Sequence, residues 1–132
     1  MQWRIEMSKF RFDIKARQAR SAFNEMAKRI GEIGVDHAKN VVIPSESFDG
    51  DPWAPPKKPQ DHKLLDKTGK LRSSIHVVRA NSKGVKWGAG VPYAVYHNDG
   101  TDKIPKRQFI GMDKQLASKI KKVVQETMKN IL

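Results

Sequence analysis

Apolar side chains at helical spacing in the first third of the chain constrain its fold more than any other feature. From residue 19 onward they recur every three or four positions, with charged or polar residues between them, at Ala19, Phe23, Met26, Ile30, Ile33, His37 and Val41. This pattern places one stripe along an amphipathic helix. We therefore predict a helix from about Asp13 to Val42, which at about 1.5 Å per residue is a rod of about 45 Å.

Two glycines and a proline modify this predicted helix. Gly31 and Gly34 each weaken a helix by about 1 kcal/mol relative to alanine. Close packing against a sheet and a bend would both explain them, and we expect a helix with a kink. Pro44 disfavours helical geometry in the residue before it, so the helix is expected to end by Ile43.

Two further patterns predict β-structure. The segment WRIEM, Trp3–Met7, alternates apolar and charged side chains, which is typical of a short half-buried strand. The β-branched segment SIHVVRA begins at Ser74, the turn residues SKG begin at Ser82, and VKWGAGV returns from Val85, which together predict a β-hairpin. The stretch YAVYH, from Tyr93, fits either a strand or a helical turn.

Two helix N-caps complete the prediction of the fold. Thr68 is placed to cap a short helical turn before the hairpin, after which Leu71 and Ile75 point to the same side. Asp113 is placed to cap a C-terminal helix with an apolar face made of Leu116, Ile120, Val123, Val124, Thr127 and Ile131. We predict one α+β domain over residues 1–132, with a small, mostly antiparallel sheet packed against the long N-terminal helix and the C-terminal helix.

A proline-rich segment at about residues 44–63 separates the long helix from the rest of the domain. Its prolines remove backbone donors and fix φ, so we expect an extended, largely unpaired loop. Loops of this length are usually functional or disordered. Trp53 indicates at least one anchored point, either on the surface of the domain itself or in contact with a partner.

The chain is strongly basic. It has 26 basic and 14 acidic residues and a net charge of +12, which favours acidic partners such as nucleic acid, an anionic membrane surface or an acidic protein face. On the predicted C-terminal helix, opposite its apolar face, lie Lys114, Lys121, Lys122 and Lys129. These form a stripe about 20 Å long that is either a solvated face or, with Lys103, Lys106, Lys57 and Lys58, a docking surface.

Composition excludes several classes of protein. The chain has no cysteine, so disulfides and thiolate metal sites are excluded. Charged residues scattered through the first positions leave no secretory signal, and no segment has the roughly 20 apolar residues that cross a bilayer. We expect a soluble protein that remains inside the cell when it is made and has no membrane partner.

No pattern predicts catalysis. A phosphate-binding P-loop ending at Gly69 would need a glycine where Leu64 stands and a hydroxyl where Leu71 stands. The run HND at residues 97–99 suggests a nuclease, but adjacent side chains on an extended segment point to opposite sides, and the run fits a tight turn. His37, on the apolar stripe, fits a hydrogen-bonded core histidine. No catalytic residue, metal ligand or cofactor is predicted.

Four motifs in order carry a resemblance. They are FDGDPWAPP, LLDKTGKLRSSI, VKWGAGVPYAVYHNDG and, before the final helix, IPKRQFIG. Their order resembles the phage virion morphogenesis family, the tail-completion proteins of Mu-like myophages and prophages. The matching family residues include Trp53, Thr68, Gly69, Leu71, Tyr93, His97, Gly100, Pro105, Arg107 and Phe109. Asn98 departs from an expected glutamine, and Gln108 departs from an expected proline.

The resemblance implies a non-enzymatic structural protein that completes the tail or joins it to the head. It implies assembly in the bacterial host cytoplasm and a final place in the virion, at the tail or the head–tail junction. The implied partners are other tail or connector proteins, and we expect a homo-oligomeric ring in the virion. The stretch Tyr93–Gly111 would be a turn and strand region that fixes the fold and presents a protein–protein surface, with the His97 ring hydrogen-bonded to a neighbouring group.

Two alternatives remain open from the residues alone. The net charge of +12 suggests a small basic DNA-binding protein, and weak nonspecific contact with DNA is compatible with the structural role as well. A dedicated DNA binder should carry aromatic stacking platforms or a recognition helix with base-reading Arg and Asn, and the lysine stripe offers attraction to the DNA backbone alone. A metal-dependent nuclease is suggested only by His97.

Overall fold

The computed structural model describes residues 1–6 and 16–131. In that part of the chain the strands are β1 (Gln2–Glu6), β2 (Ser47–Phe48), β3 (Asp51–Pro52), β4 (Ile75–Asn81) and β5 (Gly84–Ala89). The helices are α1 (Ala16–His37), α2 (Ile43–Ser45), α3 (Lys70–Ser73), α4 (Ala94–Asp99) and α5 (Lys114–Ile131), and a π-helical segment, Ala38–Val42, joins α1 to α2. The fold is mixed α+β with a small antiparallel sheet and two long helices, as predicted.

The main sheet has the strand order β1-β5-β4, and both pairings are antiparallel. Trp87 lies at the centre of the sheet on the middle strand, β5, where it pairs with Trp3 of β1 on one side and with Val77 of β4 on the other. The predicted hairpin is confirmed, with Asn81 opposite Gly84 at its turn. The predicted first strand is confirmed through Glu6, while Met7 lies outside the described residues.

Close packing of α1 on the sheet accounts for its two glycines. A Cβ at Gly34 would lie 2.5 Å from the Trp87 ring, and one at Gly31 would lie 3.0 Å from Val77 and 3.1 Å from Val85. The helix continues through both glycines, and its winding changes only later, at the π-helical segment. Residues 13–15 of the predicted helix lie outside the described part.

The predicted end of the long helix at Ile43 is wrong. Ile43 keeps helical geometry, with φ −61° and ψ −49°, and the chain remains helical to Ser45. Pro44 stands at the start of α2, directly after the π-helical segment, and only Ser45 follows it in the helix, so its missing N–H removes at most one hydrogen bond from a helical course that is about to end. The helical course ends at Glu46, which has a left-handed backbone with φ +52°.

The core lies between the sheet, α1 and α5. α1 contacts β4 and β5 and also packs against α5, so α5 reaches the sheet chiefly through α1. The largest fully buried side chains include Met26 and Ile30 of α1, Trp87 of β5, Leu116 of α5 and, from the segment before α5, Phe109. This packing leaves the opposite face of α5 free for other contacts.

The proline-rich segment is only partly the unpaired loop that was predicted. Its first residues form a small hairpin, in which β2 pairs with β3. After Pro52 no helix or strand occurs until α3. Asp49 and Gly50 form the two-residue turn of this hairpin, and both have a left-handed backbone, with φ +49° and +86°.

Candidate interaction surface

Asp113 fixes the start of α5 and ties it to α1. Its Oδ1 accepts a hydrogen bond from the Leu116 backbone N–H at 2.7 Å, which confirms the predicted N-cap. Its Oδ2 lies 2.6 Å from Nε2 of His37, and both side chains are buried. The Lys119 ammonium lies 3.3 Å from Nδ1 of His37 and can only donate, so Nδ1 accepts and Nε2 carries the hydrogen given to Asp113. His37 is therefore a satisfied core histidine, as predicted.

The hydrogen bonds of Asp113 to Leu116 and His37, which we call the junction, hold α5 with its lysines facing outward. Leu116, Ile120 and Val123 are buried, whereas four lysines on the opposite face are exposed, namely Lys114, Lys121, Lys122 and Lys129. The one acidic residue of α5, Glu126, pairs with Arg29 at 3.1 Å. None of the four lysines has an ion pair within the part of the chain that the structure describes. We call these four residues the lysine stripe.

The other predicted surface lysines lie on different segments. Lys103 and Lys106 are exposed in the connection between α4 and α5, and Lys57 and Lys58 are exposed in the proline-rich loop. The connection between α4 and α5 begins at Gly100, where φ is +78° and an added Cβ would lie 2.9 Å from the Lys106 backbone nitrogen. This close approach explains why glycine is required at position 100.

The proline-rich loop is anchored on the segment that precedes α5. Trp53 is 8% exposed, and its Nε1 donates a hydrogen bond to the Gln108 carbonyl at 2.9 Å. The Arg107 guanidinium donates to the Ala54 carbonyl from Nε at 3.1 Å and from Nη2 at 2.9 Å, and also to the Pro55 carbonyl. Of the two hypotheses for Trp53, an anchor on the domain's own surface or a partner contact, these hydrogen bonds support the anchor.

The HND run lies on α4, which resolves the open choice between strand and helical turn in favour of a helix. The turn and strand region expected over Tyr93–Gly111 is therefore wrong, because residues 97–99 are helical and no strand follows before Gly111. Asn98 is buried, and its Oδ1 accepts hydrogen bonds from the backbone N–H groups of Phe109 at 3.0 Å and Ile110 at 3.1 Å. Asp99 is exposed. Successive side chains of this run therefore point apart and do not form one site.

The hydrogen bond expected of the His97 ring is missing at Nδ1. Its Nδ1 is buried and has no hydrogen-bond partner among the described residues. The Tyr93 ring meets the His97 ring edge-on, with centroids 5.9 Å apart. Burial, and secondly the charge of Arg107, lower the pKa of His97, which keeps the ring neutral at pH 7.

The predicted cap at Thr68 is displaced by one residue. Gly69 occupies the N-cap of α3 with a left-handed backbone, φ +75°, and makes no side-chain cap. The Thr68 hydroxyl lies 3.4 Å from the Lys70 nitrogen, which is a weak contact. Leu71 and Ile75 are both buried, as their shared orientation predicted.

Family-motif residues from three segments line one cavity of about 300 Å³. They are Thr68, Gly69 and Leu71 before and in α3, Tyr93 and His97 around α4, and Arg107 after it. The other motif residues lie elsewhere: Phe109 is in the core and Pro105 is half-buried in the connection. The order of the sequence motifs groups these residues in one family pattern but does not show that they lie close together in the fold.

Within residues 1–6 and 16–131, no group of three or more His, Cys, Asp or Glu side chains could hold a metal ion. The helices of that part include none that is long and apolar enough to span a membrane. The features that stand out are surfaces for contact: a charged helix face and a lined cavity.

The fold and these surfaces define a small basic α+β protein whose conspicuous features are a charged helix face and a motif-lined cavity. The chain matches the phage virion morphogenesis family over residues 12–129, and it belongs to that family. No curated protein and no solved structure matches it. Family membership implies a structural or assembly role in building the virion, in the host cytoplasm and then in the particle, together with contacts to other virion proteins.

Proposed function

We propose that this protein acts without catalysis in tail completion or head–tail joining, and that it docks through the lysine stripe onto an acidic face of a neighbouring tail or connector protein. The observation that carries the proposal is the row of four exposed lysines without ion-pair partners in the described chain, on the face of α5 opposite the core. Lys103 and Lys106 add to the same basic C-terminal region. An acidic neighbour would neutralise charge that the subunit itself leaves uncompensated.

The stripe would act mainly by steering encounter and fixing register. Exposed ion pairs contribute about 0–1 kcal/mol each, so reversing one lysine should have little effect. Reversing several lysines together should oppose docking much more strongly, because each reversed charge replaces an attraction to the acidic face with a repulsion. The protein is proposed to form its ring only on the virion, through head-to-tail subunit contacts that close.

The test is a triple reversal, Lys121→Glu, Lys122→Glu and Lys129→Glu, supplied as the only copy in cells that produce the phage. We expect the variant to fold normally but to be missing from purified particles, which should then show tail-joining defects and low infectivity. A matched control reverses three exposed charges away from the stripe, Arg17, Arg20 and Lys83, and has the same net charge. The control should be incorporated; normal particles from both variants would refute docking through the stripe.

The second candidate function is DNA binding, which the net charge of +12 favours. A salt titration separates it from the structural role, because the logarithm of the binding constant falls with the logarithm of the salt concentration, with a slope that grows with the number of phosphate contacts. We expect only weak, salt-sensitive binding by the purified protein. Sub-micromolar affinity at physiological salt, with a slope that indicates many released counterions, would favour DNA binding as the principal function.

A further inference from the structure

The cavity lined by family-motif residues has the composition of a binding site. Its volume of about 300 Å³ is at the lower end of the range for sites that hold small ligands. Its apolar lining comes from Leu64, Leu65 and Leu71, and Leu64 and Leu71 are themselves almost fully buried. An apolar side chain placed there would be removed from water on well-ordered leucines, which is favourable.

The charged lining of the same cavity has one sign. Lys67, Lys70 and Arg107 line it, and none of the acidic side chains that the structure describes does. Arg107 uses Nε and Nη2 to hold the carbonyls of the proline-rich loop, and its Nη1 has no partner within the described residues. Carboxylates and phosphates are the groups that such donors recognise.

His97 provides a polar group at the wall of the cavity that the fold leaves unsatisfied. Its Nδ1 is buried without a partner in the described chain, and an unsatisfied buried polar group is unfavourable. Tyr93, which packs edge-on against the ring, is 41% exposed, so it can turn away without loss of core packing. A ligand that reaches His97 would remove that cost.

We propose that this cavity binds a short acidic peptide segment of another virion protein. An apolar side chain of that segment would lie on the three leucines, and an adjacent carboxylate would meet Lys67, Lys70 and Arg107. A nucleic-acid phosphate would meet the same cations, and a base could stack on Tyr93, but the three leucines of the lining favour an aliphatic side chain. The proposal concerns a site separate from the lysine stripe and does not depend on docking through it.

The experiment uses nuclear magnetic resonance of the full ¹⁵N-labelled chain and two matched probes. N-acetyl-L-leucine carries an apolar side chain and a carboxylate, while N-acetyl-L-leucine amide lacks the charge. We expect the acid to shift the amide signals of Lys67–Leu71 and His97 saturably, in the millimolar range usual for so small a ligand. The uncharged amide should bind about tenfold more weakly, because a charge-assisted hydrogen bond is lost.

A double variant tests the assignment of the charges. Lys67 and Lys70 are exposed, so Lys67→Gln with Lys70→Gln should preserve the fold and weaken binding of the acid. Lys57→Gln with Lys58→Gln removes the same charge from the proline-rich loop, outside the cavity lining, and should leave binding unchanged. Three results would overturn the proposal: no saturable shifts, equal binding of acid and amide, or displacement of the acid by inorganic phosphate or oligothymidylate at lower concentrations.

Discussion

Removing the Asp113 carboxylate tests whether one side chain both starts α5 and holds it on α1. In Asp113→Ala the Leu116 N–H loses its cap, which costs about 1 kcal/mol. The buried Nε2–H of His37 loses its acceptor, which costs about 1–3 kcal/mol more. We therefore expect the free energy of unfolding to fall by about 2–4 kcal/mol, a large part of the stability of a domain of this size.

The assay is urea unfolding followed by circular dichroism, with a double-mutant cycle against His37→Leu. Because the two side chains contact each other, the double variant should lose less stability than the sum of the single variants. Asp102→Ala, an exposed residue in the preceding connection, is the control and should change stability by less than about 0.5 kcal/mol. A loss below that value for Asp113→Ala, or strict additivity in the cycle, would refute the junction.

Five further substitutions, at four positions, test other parts of the structure by unfolding. Gly34→Ala should destabilise by about 1–3 kcal/mol because its Cβ would lie 2.5 Å from the buried Trp87 ring, and Gly31→Ala, which meets movable valine methyls, should cost less. Gly69→Val should cost more than about 1 kcal/mol because φ is +75° there, and an unchanged melting temperature would remove the idea. His97→Ala should lower stability because the packing of the ring against Tyr93 is lost, and it should leave no metal-dependent DNA cleavage to lose; cleavage that disappears in this variant would restore the nuclease hypothesis. The folded-state pKa of His97 lies below 6.5, so the unfolded state binds the proton more readily and stability should fall as pH drops below about 6.5. The stability of His97→Gln should fall less over the same pH range, and equal pH profiles of the two proteins would contradict the pKa shift.

Elements with a regular local period could be predicted from the sequence. The stripe of α1, the alternation of β1, the hairpin of β4 and β5 and the two-faced pattern of α5 each depend on neighbours within a few residues, and the structure contains all four. The prediction at Pro44 was wrong because the bias against helix before proline is a local average. Here Pro44 follows the π-helical segment and lies one residue before the end of the helical course, a context that the local average does not include.

The candidate site was less predictable because it depends on contacts between distant positions. Trp53 reaches the Gln108 carbonyl across 55 residues, and Arg107 reaches the Ala54 carbonyl across 53. Asn98 carried one readable signal, since it lies one helical turn after Ala94 on the buried face of α4. Its bonds to two successive backbone N–H groups could not be read, because no local pattern fixes where Phe109 and Ile110 fold back.

The central claim is that the lysine stripe contacts another virion protein inside the particle. Gln125 is exposed on the same face of α5 as the stripe, so a photo-crosslinking p-benzoylphenylalanine at that position reports directly on what covers it. Irradiation of purified particles should join position 125 to a different virion protein through an acidic region, while the same group at Lys83 should give no such product. Particles that contain the protein but yield no crosslink from position 125 would contradict docking through the stripe.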